Sequence, residues 1–322
     1  KNDNNYVLQA TKSGQLIILD RRSGKPTENY TEKYFYHSVD KKIFTKKKVF
    51  ADWLQFSKNN FFKDDINNLS ITFYNEAKQI IDASIISEYR KLSVSKNYIH
   101  YGFHGGNEWP GIGVTPNGKV IIPSNNIAWV SKLKDPSKFS FSKEIKNLFK
   151  SFFSIFNLDY NISKMNLKIT LAQFKKIINY KKLNIEKYQR FVNDVGIPLN
   201  SPPWGTLTSI DIINKKKNWQ IPHGFYPKLK DTYDNTGSEV FGCPVIAGKD
   251  IFFMAGTRDK KIYAYSINEG NLLWEDELPF VAYGCPIIAK HKNKLYLVIN
   301  SSGGSKFRDV KKGDKVVAYK LK

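Results

Sequence analysis

The chain has 322 residues, 41% hydrophobic and 14% aromatic, and its 51 Lys and Arg against 29 Asp and Glu give a formal charge of +22. That apolar content excludes a disordered chain, and 22 Phe and 18 Tyr suit sheet layers filled by flat side chains. Two cysteines exclude a four-sulfur zinc site and a disulfide scaffold, and the lysines are too scattered to make nucleic acid an expected partner.

From the N-terminus, Gln15-Leu16-Ile17-Ile18-Leu19-Asp20 predicts a strand ending on an acidic residue, followed by the turn Arg21-Arg22-Ser23-Gly24-Lys25. Over Leu69 to Leu92 the period changes. Ala77, Ile80, Ile81, Ile85 and Tyr89 share one helical face, so a helical insertion is expected over 61–95. A second is expected over 135–190, where Ile145, Leu148, Phe149 and Phe152, then Leu171, Phe174, Ile177 and Ile178, repeat that spacing. Both are expected to lie between sheet units.

Further on, Thr208-Ser209-Ile210-Asp211 leads through a turn to Trp219. Phe241-Gly242-Cys243-Pro244-Val245-Ile246-Ala247 recurs 42 residues later as Tyr283-Gly284-Cys285-Pro286-Ile287-Ile288-Ala289. Between the two copies, Ala264-Tyr265-Ser266 leads through Asn268-Glu269-Gly270 to Trp274, and Val316 to Tyr319 reads as a closing strand. Each indole is expected to dock on a neighbouring sheet with its N–H on an acceptor. A period of roughly 40 to 50 residues with short apolar strands and Gly/Pro punctuation is what a four-stranded propeller blade produces. The expected fold is therefore all-β, a β-propeller of about four four-stranded antiparallel blades with helical insertions. Cys243 and Cys285 sit at equivalent blade positions; packed thiols are expected ahead of a disulfide, whose geometry is demanding.

Several segments carry a family resemblance in order along nearly the whole chain. Thr11-Lys12-Ser13-Gly14 through Leu19-Asp20-Arg21-Arg22-Ser23-Gly24-Lys25-Pro26 resembles the K-x-G … L-D-R-x-x-G-x-P blade of quinoprotein glucose dehydrogenases. Gly105-Gly106-Asn107-Glu108-Trp109-Pro110-Gly111 is similar to their G-G-x-E-W-G-G turn, Asn125 to Trp129 to the strand that follows, and Pro202-Pro203-Trp204-Gly205-Thr206-Leu207 to their P-P-W-G-x-L segment. Pro110 stands where the family has Gly, which removes an N–H and fixes φ.

The resemblance implies part of an eight-bladed propeller that oxidises a sugar or alcohol by hydride transfer to pyrroloquinoline quinone (PQQ), with calcium polarising the quinone. It implies Lys12 as the electrostatic catalyst, a cation for the charge that builds on the quinone oxygen. Asn107, Glu108, Trp109 and Asp259 are implied beside the cofactor. By themselves the residues leave other readings open: Lys12 as an exposed loop lysine, Trp109 as a packed turn residue, and Asp259 as part of a plain hairpin turn. His100 and His104 lack a third partner in the sequence, so no metal site is assigned to them.

Residues 135–190 resemble a worn c-type haem domain, with Met165 placed like its axial ligand, but no Cys-x-x-Cys-His is present and no haem is expected. A membrane quinone or other acceptor would then take the electrons. The family's catalytic aspartate lies upstream of the segment matching Lys12, so the chain is expected to be a fragment or half of a split enzyme, inactive alone and needing the N-terminal half of the propeller. A periplasmic location, with membrane association through a part outside this chain, is expected on the same basis. The competing expectations are a non-catalytic propeller scaffold and a degenerate paralogue.

Overall fold

A computed structural model describes residues 5–36, 43–86, 92–101, 105–134, 185–304, 307 and 310–321. They fall into a larger compact unit (1–91, 99–129 and 190–322) and a smaller one (92–98 and 130–189). In chain order the strands and helix begin with the hairpins β1 (Tyr6–Ala10) with β2 (Leu16–Asp20) and β3 (Tyr30–Tyr36) with β4 (Ile43–Phe50). Next come α1 (Ile71–Asp82), β5 (Ser84–Ile86), β6 (Asn97–His100), β7 (Gly113–Val114), β8 (Lys119–Asn125), β9 (Trp129–Leu133), β10 (Ile185–Arg190), β11 (Gly205–Asp211) and β12 (Lys216–Pro222). The C-terminal third holds β13 (Val245–Ala247), β14 (Ile251–Ala255), β15 (Lys261–Ser266), β16 (Leu272–Glu277), β17 (Ile287–His291), β18 (Lys294–Gly303) and β19 (Lys312–Leu321).

The larger unit is built from antiparallel blades. One has the order β7-β8-β11-β12, the next β13-β14-β15-β16, and a third, with three strands described, β17-β18-β19. Their central strands carry apolar residues on both faces because each sheet is covered on both sides, and alternation decides which neighbour each residue meets. Val120 and Ile122 of β8 pack with Ile210 against Leu16 and Ile18 of β2. Ile121, between them, points the other way, into a cluster with Leu207, Phe252 and Met254. On β14 the next residues, Phe253 and Ala255, face Leu297 and Ile299 of the third blade. Burying each such side chain contributes about 1.5–3 kcal/mol, so a one-residue register slip would expose a whole row at once.

The strand–turn–tryptophan pattern closes its turns and docks both indoles on the next blade, with the expected N–H bond shown at Trp219. Asp20 Oδ1 accepts from the Arg22 and Ser23 backbone N–H groups, and Asp211 Oδ1 from those of Ile213 and Asn214, closing equivalent turns. Beyond the second turn the Trp219 Nε1–H donates to the Ile267 carbonyl of the next blade at 3.1 Å, with its ring stacked on Phe252. Trp274 meets Tyr319 edge-on at 5.2 Å between centroids, joining the second blade to the third.

Three features differ from the sequence expectations. First, Cys243 and Cys285 form a disulfide with Cα atoms 5.0 Å apart, not packed thiols. The 42-residue repeat sets both at the same level of adjacent blades, facing each other. Second, α1 lies within 61–95, with Ser70 Oγ accepting from the Phe73 N–H and with Ala77 and Ile81 buried, but the chain turns to strand at Ser84. Third, the later interruption falls inside a blade rather than between blades. Its expected helices lie on 135–184, outside the described residues, and its last residues are strand β10. Yet β8 and β11, on either side of it, pair continuously from Gly205↔Asn125 to Asp211↔Lys119.

Closing a long loop costs only slightly more than closing a short one, so a blade tolerates such an insertion if its two ends are clamped. Two asparagines provide the clamp. Asn200 Nδ2 donates to the Asn126 carbonyl at 2.8 Å, Asn200 Oδ1 accepts from the Ala128 N–H at 3.0 Å, and Asn126 Nδ2 donates to the Pro203 carbonyl. In the smaller unit, β9 and β10 are neighbours in one sheet, with Lys132 Nζ 3.3 Å from Glu186 Oε2.

Candidate functional site

Lys12 sits in the tight turn between β1 and β2, which Thr11 closes by donating its hydroxyl to the Gln15 carbonyl at 2.8 Å. A second loop, Gly106 to Gly111, lies directly against it. Gly106 has φ +60, and a Cβ there would come within 2.4 Å of the Thr11 carbonyl oxygen, so only glycine allows the two backbones to approach this closely. The contact is fixed by the Asn107 N–H, which donates to the Thr11 carbonyl, and by reciprocal backbone bonds between Gly106 and Asn125 of β8.

Within the second loop Asn107 is buried, its side-chain amide donating to the Pro123 and Gly111 carbonyls at 2.9 and 3.2 Å. Glu108 is buried as well. Its Oε1 lies 2.6 Å from Lys12 Nζ, the lysine side chain being 42% exposed and the glutamate 4%. Trp109, by contrast, is 84% exposed, so the packed-core reading of this indole does not hold. Lys12, Asn107, Glu108 and Trp109 together line one cavity of about 470 Å³, with Leu8 and Ala10 forming part of its apolar wall. Four of the five residues singled out from sequence thus converge: a cation held by a buried carboxylate, a buried amide that shapes the loop, and an accessible indole.

Asp259 is not among the residues lining that cavity. It is buried, and its oxygens accept from the Thr257 hydroxyl at 2.6 Å, the Phe225 N–H at 2.8 Å, the Tyr263 hydroxyl at 2.9 Å and the Lys261 N–H at 3.1 Å. Burial holds its pKa above the ordinary carboxylate value despite those four donors. The Arg258-Asp259-Lys260-Lys261 segment is therefore a turn organised around its own carboxylate. His100 is buried with Nδ1 3.2 Å from the Tyr101 carbonyl, and burial lowers its pKa; His104 lies outside the described residues. Among the described residues no three His, Cys, Asp or Glu side chains gather as metal ligands.

Sequence reasoning missed a second polar centre. Glu239 is buried and meets Arg190 Nη1 at 2.8 Å, Arg258 Nε at 2.9 Å and the Tyr226 hydroxyl at 2.7 Å. Burial alone would raise its pKa, but the two guanidiniums prevail and hold it below the ordinary value. The repeat carried a signal for it: 42 residues on, the equivalent of Glu239 is the buried apolar Val281. A carboxylate where the sister blade has valine must bring its own counter-ions. Likewise unforeseen, His223 is fully buried with Nδ1 3.0 Å from the Tyr265 hydroxyl and Nε2 without a hydrogen-bond partner among the described residues, and burial drives its pKa down to about 3.

Residues 1–297 match the model of the PQQ glucose/ethanol/alcohol dehydrogenase β-propeller domain. The chain is 24% identical to quinoprotein glucose dehydrogenase A of Acinetobacter calcoaceticus, across 98% of this chain and 38% of that protein. It is 34% identical to a probable quinate dehydrogenase (quinone) of Xanthomonas campestris pv. juglandis, across 41% of this chain and 18% of that one. A solved structure of a europium-containing methanol dehydrogenase aligns with 94% of this chain and 39% of its own, at 15% identity and a TM-score of 0.45. The chain thus spans less than two fifths of the length of each of these proteins.

Proposed function

The chain belongs to the quinoprotein glucose/ethanol/alcohol dehydrogenase β-propeller family, and from that premise we propose that it forms part of an enzyme oxidising a sugar or alcohol, with PQQ held in the Lys12–Trp109 cavity. The observation that carries the proposal is the convergence of Lys12, Asn107, Glu108 and Trp109, from two separate loops, on one cavity of about 470 Å³. That size lies within the ordinary range of cofactor sites. The side chains suit a flat, anionic tricycle: the exposed indole offers a face for its rings, and Lys12 offers a cation for its oxygens. PQQ, when bound, supplies the two-electron acceptor.

The chain's own residues position and stabilise. Lys12 would place a positive charge beside the oxygens of the bound quinone, and Glu108, paired with its Nζ, fixes where that charge sits. Asn107 ties the loop to β8 and to the Thr11 carbonyl, so that the two halves of the cavity move as one. Trp109 shields the reacting face from water. Calcium, and the aspartate that takes the substrate hydroxyl proton, belong in this proposal to the blades of the whole enzyme beyond these 322 residues. Electrons pass to a membrane quinone or another acceptor, and the compartment is the periplasm. The Cys243–Cys285 disulfide supports that location, since such bonds persist in oxidising surroundings.

The test is titration of the whole protein with PQQ in the presence of calcium, followed by steady-state kinetics on aldoses, polyols and simple alcohols. We expect saturable binding of one PQQ, and a loss of kcat of roughly 10²–10³-fold in Lys12→Ala, the scale of removing one electrostatic donor. Failure of the whole protein to bind PQQ would overturn the proposal.

A further inference from the structure

We propose that the Cys243–Cys285 disulfide is a positioning clasp for the cofactor cavity, setting the turn Glu108–Gly111 and, through Glu108, the place of Lys12. The disulfide joins the residues that open the first strands, β13 and β17, of two adjacent blades. Cys285 Sγ lies 3.9 Å from the Pro110 carbonyl oxygen, so the tip of the cavity turn rests on the cystine. On the other flank, Gly113 of β7 packs on the residues that follow Cys243. A Cβ at Gly113 would meet Ile246 Cδ1 at 2.9 Å and Pro244 Cγ at 3.0 Å, so the strand leaving the turn is seated directly against β13.

External support bears on the far end of the turn, since its near end is already held by Asn107 to Thr11 and β8. At that far end the Gly111 N–H donates to the Glu108 carbonyl at 3.1 Å and the Asn107 side-chain amide to the Gly111 carbonyl at 3.2 Å, and Pro110 has no N–H to contribute. Glu108 is nevertheless buried and pairs with Lys12 at 2.6 Å, a placement that a turn free to shift by an ångström would not keep. The inter-blade clusters, by contrast, are made of aliphatic and aromatic side chains and do not include the cystine. Opening the disulfide should therefore loosen the turn while the sheets stay packed, which sets a positioning role apart from a general staple.

Hydrogen exchange read by mass spectrometry on the whole protein, oxidised and then reduced with dithiothreitol, tests this without turnover. The reagent closes to its cyclic disulfide as both cysteines leave as thiols. Peptides covering 105–113 should exchange about tenfold faster after reduction, with those covering β14 and β15 changed less than about twofold. The Cys243→Ser/Cys285→Ser variant should show the faster rates from the start and ignore the reductant. Should that variant misfold, reduction of the folded wild-type protein supplies the same comparison.

Unchanged exchange over 105–113, or a uniform rise across all blades, would overturn the inference. A second readout rests on the proposed function: PQQ affinity should fall about tenfold on reduction. Absence of PQQ binding with a selective loosening of 105–113 would sink the cofactor assignment and leave the clasp standing. Intact PQQ affinity with unchanged exchange would do the reverse.

Discussion

His223→Gln should remove about one proton of acid sensitivity from the folding equilibrium. The imidazole is enclosed, with no partner for its Nε2 among the described residues and its pKa depressed from 6.5 to about 3 by burial. A base whose folded pKa is depressed is protonated first in the unfolded chain, so its contribution is complete above pH 6.5 and is lost as pH falls from there toward 3. Across that window the slope is about 1.4 kcal/mol per pH unit, and by pH 4.5 the accumulated loss is about 3 kcal/mol. His100, also held low by burial, adds to the same slope in both proteins and cancels in the comparison. Glutamine cannot titrate but keeps a polar atom for the Tyr265 hydroxyl now 3.0 Å from Nδ1. Urea unfolding of both proteins at several values between pH 7 and pH 4.5 gives the two slopes. The variant, whatever its stability at pH 7, should lose less on acidification by about 1.4 kcal/mol per unit. Parallel curves would refute the account, for they would mean that His223 is protonated in the native state.

Two other perturbations follow from the packing. Glu239→Ala leaves Arg190 and Arg258 without their shared carboxylate and should cost about 3–5 kcal/mol by denaturant titration, with part of the loss recovered when both arginines are also replaced. Because the Glu239 pKa is held below 4.5, its stabilisation is full above that value and disappears as pH falls through the lowered one, a window more acidic than that of His223. Trp219→Ala removes both the Ile267 hydrogen bond and the stack on Phe252, and should cost about 2–4 kcal/mol by the same measurement, more than Trp219→Phe, which keeps the stack.

The blade repeat was legible in the sequence because its punctuation is local: Gly-Cys-Pro opening one strand, an Asp or Ser closing another, and a Trp one turn later. What depended on distant partners was not. Nothing in the residues around Asn125 says that their ladder partner begins at Gly205, so an interruption inside a blade resembled one between blades. The disulfide was hidden for the same reason, a 42-residue separation having no geometric meaning until both copies are set on neighbouring sheets. At the site, Lys12, Asn107, Glu108 and Trp109 were found through their resemblance to a family's loops. Asp259 could be either a cofactor neighbour or a turn anchor, and burial among four donors gives it the second role in this structure. Glu239 was legible in principle, through its mismatch with Val281, but only to a comparison of the repeats position by position.

The asparagine clamp at the base of the interrupted blade has an engineering consequence. Since Asn126 and Asn200 bring the two chain ends together by their own amides, the strands on either side are sutured at the base, while Ile127, Arg190 and Ile197, just inside the interruption, remain part of the host's packing. The position is in effect a cloning port: a module joined after Leu133 and before Ile185 would leave those leads, and with them Ile127, Arg190 and Ile197, to the host.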